Sequence, residues 1–194
     1  YHADFSEFTD EGEYYVSVDG GRSATFRIGP DVFVPALDTT MLGLLGQRCG
    51  EEVEFEFEDE RYFHEECHTA EAELSRVGED GTRDDSGGWH DAGDYGKYVV
   101  NGAFAAAFLL KAYEHFPEYV AKKKLLIPEN GNDTPDLLDE ARVEVEWILK
   151  VQLESGAFSH KVTALNFEGT VMPEMDTQTR YFLSESSAAT GDAV

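Results

Sequence analysis

The segment from Tyr98 to Phe116 constrains the fold more than any other part of this chain. Val99, Val100, Ala103, Phe104, Phe108, Leu109, Leu110, Ala112 and Tyr113 cover nearly the whole circumference of the helix they predict. A helix that is apolar all round has to be surrounded by other elements. A second helix is expected downstream, with Thr134 as its N-cap and Pro135 at its first helical position. Its apolar stripe reads Leu137, Leu138, Ala141, Val145, Ile148 and Leu149, and its other face, with Asp139, Arg142, Glu144, Glu146 and Lys150, reads as wet. Glu140, Glu144 and Glu146 are accordingly expected to be surface charges. An all-round apolar helix followed by a one-sided one suits the inner and outer helices of a double-layered barrel. Two helices cannot close such a barrel, so the 194 residues are expected to be one piece of a larger protein, truncated or nicked. The tail Ser186-Ser187-Ala188-Ala189-Thr190 reads as the start of a further helix.

The N-terminal part has a different period. Tyr14, Val16 and Val18 alternate with small or polar residues, Asp19-Gly20-Gly21 makes a turn, and Phe26 and Ile28 alternate again, which predicts a hairpin over Gly12 to Ile28. A lone hairpin is marginal in water, so this one is expected to belong to a β-sandwich lying mostly before Tyr1. Pro30 to Pro35 reads as a linker into a helical segment around Leu37 to Gln47. Glu54, Glu56 and Glu58 alternate with Phe55 and Phe57 as an exposed face would.

Charge excludes several partners. With 15 Lys and Arg against 40 Asp and Glu, the net charge of −25 disfavours DNA, RNA and anionic membrane surfaces. It suits calcium, for which no site is assignable, or a cationic substrate such as an amino-sugar oligomer; a solvated acidic surface accounts for most of these charges. The longest run free of polar side chains, Gly102 to Leu110, is far shorter than the roughly 20 residues of a membrane span. No basic-then-apolar signal segment opens the chain at Tyr1, so export is not legible from it.

The chemistry-bearing string is Gly87 to Lys97, G-G-W-H-D-A-G-D-Y-G-K, which places Asp91 and Asp94 on one side of a turn. Paired aspartates in a glycine-rich loop suit ordinary turn chemistry, a cation, or a water molecule that must lose a proton. The alternating oxygen ligands of a calcium loop are absent. Trp89 and Tyr95 are the aromatic residues expected where a sugar ring stacks, although either suits packing beneath the loop, and packing is the reading preferred for Trp89. A second constellation is Cys49, Cys67, His68 and His90. Two thiolates and two imidazoles match a closed tetrahedral zinc site, while two cysteines alone suit a disulfide.

The string around Asp91 and Asp94 resembles the Asp-Ala-Gly-Asp signature of glycoside hydrolase family 9, in its branch with an immunoglobulin-like domain before an (α/α)6 barrel. Met41 to Gly50, Thr134 to Gln152, Gly156 to Thr163, Val171 to Glu174 and Ser187 to Thr190 are similar to family segments in the same order. The resemblance implies a mixed fold: residues 1–35 as the last strands of an immunoglobulin-like β-sandwich, and residues 36–194 as the first part of an incomplete (α/α)6 catalytic domain. It implies inverting hydrolysis of β-glycosidic bonds in cellulose or a related β-glucan, with Asp94 as general base, Asp91 positioning water, and a general-acid Glu outside this chain. An exo-β-glucosaminidase of the same fold, or a non-catalytic carbohydrate-binding or structural fragment, are the alternatives. It further implies substrate contacts at His160 and Tyr95 and structural zinc on Cys49, Cys67, His68 and His90. The partners implied are a β-glucan or oligosaccharide and the remainder of the enzyme, in a secreted or cell-surface setting.

Overall fold

The computed structural model describes residues 4–167 and 169–194, so the first three residues of the segment read as immunoglobulin-like lie outside it. The chain divides into two compact units, residues 1–41 and 42–194. Strand and helix are mixed, and the sheets are open.

In the first unit, β1 (Gly12–Tyr14), β2 (Ser17–Val18), β3 (Gly21–Arg22) and β4 (Phe26–Ile28) form the expected hairpin as an outer pair, β1 with β4, and an inner pair, β2 with β3. The turn works because Asp19 and Gly20 take left-handed φ values of 47° and 82°. Phe5 lies against Phe26 at 5.8 Å, and Phe8 stands edge-on to Tyr14 at 5.0 Å. Helix α1 (Val34–Leu45) begins earlier than expected. Pro35, read as the end of a linker, sits in its first turn, where the missing amide proton has no helical partner to lose.

In the second unit, β5 (Val53–Phe57) and β6 (Glu60–His64) pair antiparallel. Phe55 and Tyr62 lie parallel at 5.2 Å, with Glu54 and Glu56 outward as expected. A separate sheet collects β7 (Ala72–Glu73), β8 (Thr82–Arg83), β9 (Lys97–Tyr98), β10 (Lys161–Ala164) and β11 (Arg180–Phe182) in the order β8-β7-β11-β10-β9. All its neighbours are antiparallel except β7 and β11.

Helix α2 (Val99–His115) runs on directly from β9, and α3 (Pro117–Val120), α4 (Asp136–Lys150) and α5 (Ser187–Asp192) follow. Ser186 caps α5, its hydroxyl oxygen accepting from the Ala189 amide at 3.0 Å. Only one face of α2 is covered, by way of Val99, Ala103 and Ala106, while Phe104 and Phe108 are 66% and 59% exposed.

Helix α4 departs from expectation in two ways. Pro135 itself is the N-cap residue, and no side-chain cap bond forms; in the preceding turn the Thr134 amide donates to Asn132 Oδ1. The buried stripe is also rotated. Asp139, Glu140 and Glu144 are buried together with Leu137, Ala141, Trp147 and Ile148, while Leu149 is largely exposed. The acids can be inside because each meets a donor: Asp139 meets Asn132 and Arg142, Glu140 meets Arg48 and Trp89, and Glu144 meets the Trp89 amide. Trp147 sits in the core with Val99, Ala103, Phe158, Val162 and Phe182. Among the described residues, no helix is long and apolar enough to cross a membrane.

Candidate functional site

The loop from Gly87 to Lys97 connects β8 to β9, and buried charge holds its backbone. Lys97, fully buried, donates through Nζ to the carbonyls of Asp85 and Gly87. Arg180 donates to the Tyr95 carbonyl at 2.9 Å and to Asp85 Oδ2 at 3.2 Å. Lys150 adds a 2.8 Å bond to the Ser86 carbonyl.

From α4, Glu144 Oε2 accepts the Trp89 amide at 2.7 Å, and Glu140 Oε1 accepts the Trp89 indole N–H at 2.8 Å. Glu140 is paired with Arg48 at 2.8 Å, and Arg48 also forks onto Glu129 at 3.1 and 3.0 Å. Burial alone would lower the Arg48 pKa, but Glu129 and Glu140 outweigh it and hold the guanidinium above its ordinary range. Burial pushes the Glu144 carboxyl up to about 8, against the opposing pull of the Trp89 amide and Lys97.

The close approach of α2 to α4 that seats Glu144 depends on Gly102. A Cβ there would lie 1.7 Å from Glu144 Oε1. Gly88, at φ 71°, is needed for a similar reason, since a Cβ would lie 2.7 Å from Trp147 Cγ.

On this support stand the two aspartates. Asp91 is exposed, and its Oδ1 accepts from Asn101 Nδ2 at 2.6 Å. Asp94 is half-buried; its Oδ1 accepts the Gly96 amide at 3.2 Å and its Oδ2 accepts the Tyr98 hydroxyl at 2.8 Å. Burial, then the bond to Asp94 and the charges of Asp94 and Asp91, push the Tyr98 phenol up to about 12. Leu44, Gln47, Trp89, Asp91, Tyr98 and Asn101 line a recess of about 170 Å3 at this point. Asp91 therefore faces open space, and Asp94 is fixed by a tyrosine of the same recess. Each Asp94 oxygen accepts one bond and keeps a second lone pair for a water molecule.

The other expected residues are placed as follows. Trp89 packs beneath the loop, only 6% exposed. Tyr95 gives its hydroxyl to the Val171 carbonyl and lays its ring against His68 and His90 at 5.8 and 5.0 Å. His160 precedes β10, its Nδ1 donating to the Ser184 carbonyl at 2.6 Å, and it does not line the Asp91 recess. Sequence reasoning missed Arg48, Glu140, Glu144, Lys97, Tyr98 and Asn101.

The four candidate metal ligands converge. Cys49, Cys67, His68 and His90 are all buried, with one ligand atom from each lying within 4.8 Å of all the others. Both thiols are free, which removes the disulfide alternative. Cys49 Sγ is 3.8 Å from His68 Nδ1, Cys67 Sγ is 3.8 Å from His90 Nε2, and the two ring nitrogens are 3.2 Å apart. A tetrahedral zinc with ordinary bond lengths would set sulfur and nitrogen about 3.6 Å apart and the two nitrogens about 3.3 Å apart. The donor set fits the metal.

The electrostatics favour ligating states. The Cys67 thiol, Lys97 and the two histidines draw Cys49 well below the usual thiol range despite its burial. That thiolate and burial push Cys67 up, and a bound cation would oppose both effects. Burial lowers His90 toward the neutral imidazole. Asp176 Oδ2 lies 3.5 Å from His68 Nε2, the position of an outer carboxylate behind a ligating histidine. The Cys49 amide donates to the Gly88 carbonyl and the His90 amide to the Gln47 carbonyl, so the cluster ties the aspartate loop to the segment after α1. Among the described residues no second cluster of three or more His, Cys, Asp or Glu ligand atoms occurs.

Known proteins share this arrangement of chain. The family model described as glycosyl hydrolase family 9 matches residues 33–194. Endoglucanase D of Acetivibrio thermocellus is 43% identical over 198 residues, covering 100% of this chain and 32% of that protein. A cellodextrinase of Butyrivibrio fibrisolvens is 39% identical, covering 99% of this chain and 35% of its own. The crystal structure of a Zn-binding triple mutant of the family 9 endoglucanase J30 superposes with a TM-score of 0.84 at 38% identity, covering 98% of this chain and 37% of that one. The chain thus spans about a third of the length of the curated relatives it matches. With the family match running from residue 33 to residue 194, the chain belongs to glycosyl hydrolase family 9.

Proposed function

We propose that this chain contributes the base side of an inverting β-glucan hydrolase. Asp94 takes a proton from water as the water attacks the anomeric carbon, and Asp91 orients that water through its exposed carboxylate. The general acid comes from a Glu outside these residues, because two carboxylates on one short loop cannot stand on opposite faces of the scissile bond. The observation that carries the reading is the pair itself: two carboxylates on one rigidly held loop, one lining an open recess and the other aimed by Tyr98 and Gly96. The curated relatives named endoglucanase and cellodextrinase support the substrate class. Tyr95 and His160 are proposed as substrate contacts. Tyr95 would act through its ring, since its hydroxyl is committed to Val171. His160 would act through Nε2, because Nδ1 is committed to Ser184.

Residues 1–35 are proposed as the last strands of an immunoglobulin-like domain and residues 36–194 as the first part of an (α/α)6 barrel, whose remainder is the principal partner of this chain. The exposed apolar face of α2, with Phe104 and Phe108, supports that division of labour. Zinc is proposed on Cys49, Cys67, His68 and His90, where it supplies structural closure and leaves no position open for substrate. The enzyme is proposed to act outside the cell, where polymeric glucan is found.

Assay of the full-length protein on carboxymethyl-cellulose, lichenan and chitosan oligomers tests the substrate class, and proton NMR of the first product tests the stereochemistry. Release of the α-anomer from a β-glucan is expected. Release of the β-anomer, or activity on chitosan oligomers alone, contradicts the proposal. Metal analysis of unchelated protein is expected to return one zinc per chain; zinc-free protein with intact fold contradicts the metal assignment.

A further inference from the structure

A second pocket adjoins the aspartate loop. Phe55, Tyr62 and His64 of the β5–β6 hairpin line it together with Ala92, Gly93 and Tyr95 of the loop, and it encloses about 290 Å3. Gln47 and His90 line both this pocket and the recess that holds Asp91, so the two are neighbours.

His64 gives the pocket a polar centre. It is only 6% exposed, and its Nδ1 lies 2.8 Å from the Glu65 carbonyl, an acceptor, so Nδ1 holds the proton and Nε2 presents a lone pair. That Nε2 is buried and has no hydrogen-bond partner among the described residues. A buried acceptor left unpaired is costly, and a hydroxyl donor removes the cost. Tyr62 gives the pocket an aromatic wall. One face lies parallel to Phe55 at 5.2 Å, yet the residue is 46% exposed. A pyranose ring has the matching chemistry, with C–H bonds on its face and hydroxyls around its edge.

We propose that this pocket is a sugar subsite, holding a glucosyl ring of the same β-glucan chain beyond the ring that is cut, with His64 Nε2 accepting from a ring hydroxyl and Tyr62 packing on the ring face. The inference rests on the β-glucan reading given above. It predicts that His64 and Tyr62 govern the affinity for long oligosaccharides without entering the proton transfers.

The test uses the full-length protein carrying Asp94→Asn, which binds without turnover. Cello-oligosaccharides of increasing length are titrated into this parent by calorimetry, and into the parent with Tyr62→Ala or His64→Ala added. Each added substitution is expected to weaken binding of those oligosaccharides long enough to reach the pocket by about tenfold, the scale of one lost hydrogen bond or ring contact. Shorter ones are expected to bind unchanged. Should the buried His64 variant fail to fold, Tyr62→Ala at its half-exposed position decides alone. Unaltered affinity at every length, or an equal loss at every length, overturns the subsite while leaving the β-glucan reading intact. A folded parent that binds no cello-oligosaccharide of any length overturns both.

Discussion

Carboxylates serve this molecule in two opposite ways, on the loop and on α4. Asp91 lines an open recess and Asp94 is bonded to Tyr98 of the same recess, each aspartate being held by one or two hydrogen bonds from Asn101, Gly96 and Tyr98. Glu140 and Glu144 are fully or almost fully buried, and they hold Arg48, the Trp89 indole and the Trp89 amide. The loop pair, Asp91 exposed and Asp94 half-buried, keeps lone pairs for a ligand. The buried pair spends its own on the protein, and in doing so fixes the residue two places before Asp91. Burial and partners, not residue type, decide which acid is left open to a ligand and which one is committed to the protein.

The contrast can be broken by removing one acid from each set. Replacing Glu140 by Ala leaves the buried Arg48 guanidinium with Glu129 and Glu51 only and the Trp89 indole N–H without its acceptor, and should cost about 1–3 kcal/mol in denaturant unfolding of the full-length protein. A loss below about 1 kcal/mol would mean that the Arg48 network is not a support of the loop.

Glu144 sharpens the comparison through pH. Its folded carboxyl titrates near 8 instead of the ordinary 4.5. Between those values the unfolded chain has lost a proton that the folded one keeps, so the Glu144 contribution is full below the lower value. It then falls by about 1.4 kcal/mol per pH unit and levels off above the upper one. Glu144→Gln should remove one proton's worth of this slope in unfolding experiments between the two values. An unchanged slope would place the titration elsewhere.

The smallest effect is expected for the exposed member of the loop pair: Asp91→Asn should change stability by no more than about 0.5 kcal/mol, by thermal melt. A large loss there would make Asp91 a structural acid like Glu140.

The loop pair was legible in sequence because its spacing is local, three residues within one glycine-flanked string. The metal cluster was nearly so. Cys67 and His68 are adjacent and His90 borders Asp91, but spacing does not separate a four-ligand cluster from a disulfide; the convergence of the ring nitrogens and free thiols is visible only in the fold. The hairpin turn at Asp19-Gly20 was legible because few residue pairs accept those left-handed angles. The buried pair was not legible. Helical periodicity assigns a Glu to the wet face unless a partner is known, and the partners of Glu144 and Glu140 lie 55 and 51 residues away at Trp89 and 92 away at Arg48. For the same reason the α4 stripe was read one face over, with Leu149 inside and Glu144 outside. Pro35 is ambiguous in sequence because a proline before an apolar run marks a linker and a first helical turn alike, and here it is the helical turn.

If Asp94 is the general base, the full-length protein carrying Asp94→Asn should hydrolyse a soluble β-glucan with a kcat about 10²- to 10⁴-fold lower, the usual weight of such a base, with its melt and zinc content, measured alongside, unchanged. A folded, zinc-loaded variant that keeps its rate near that of the parent would contradict that role.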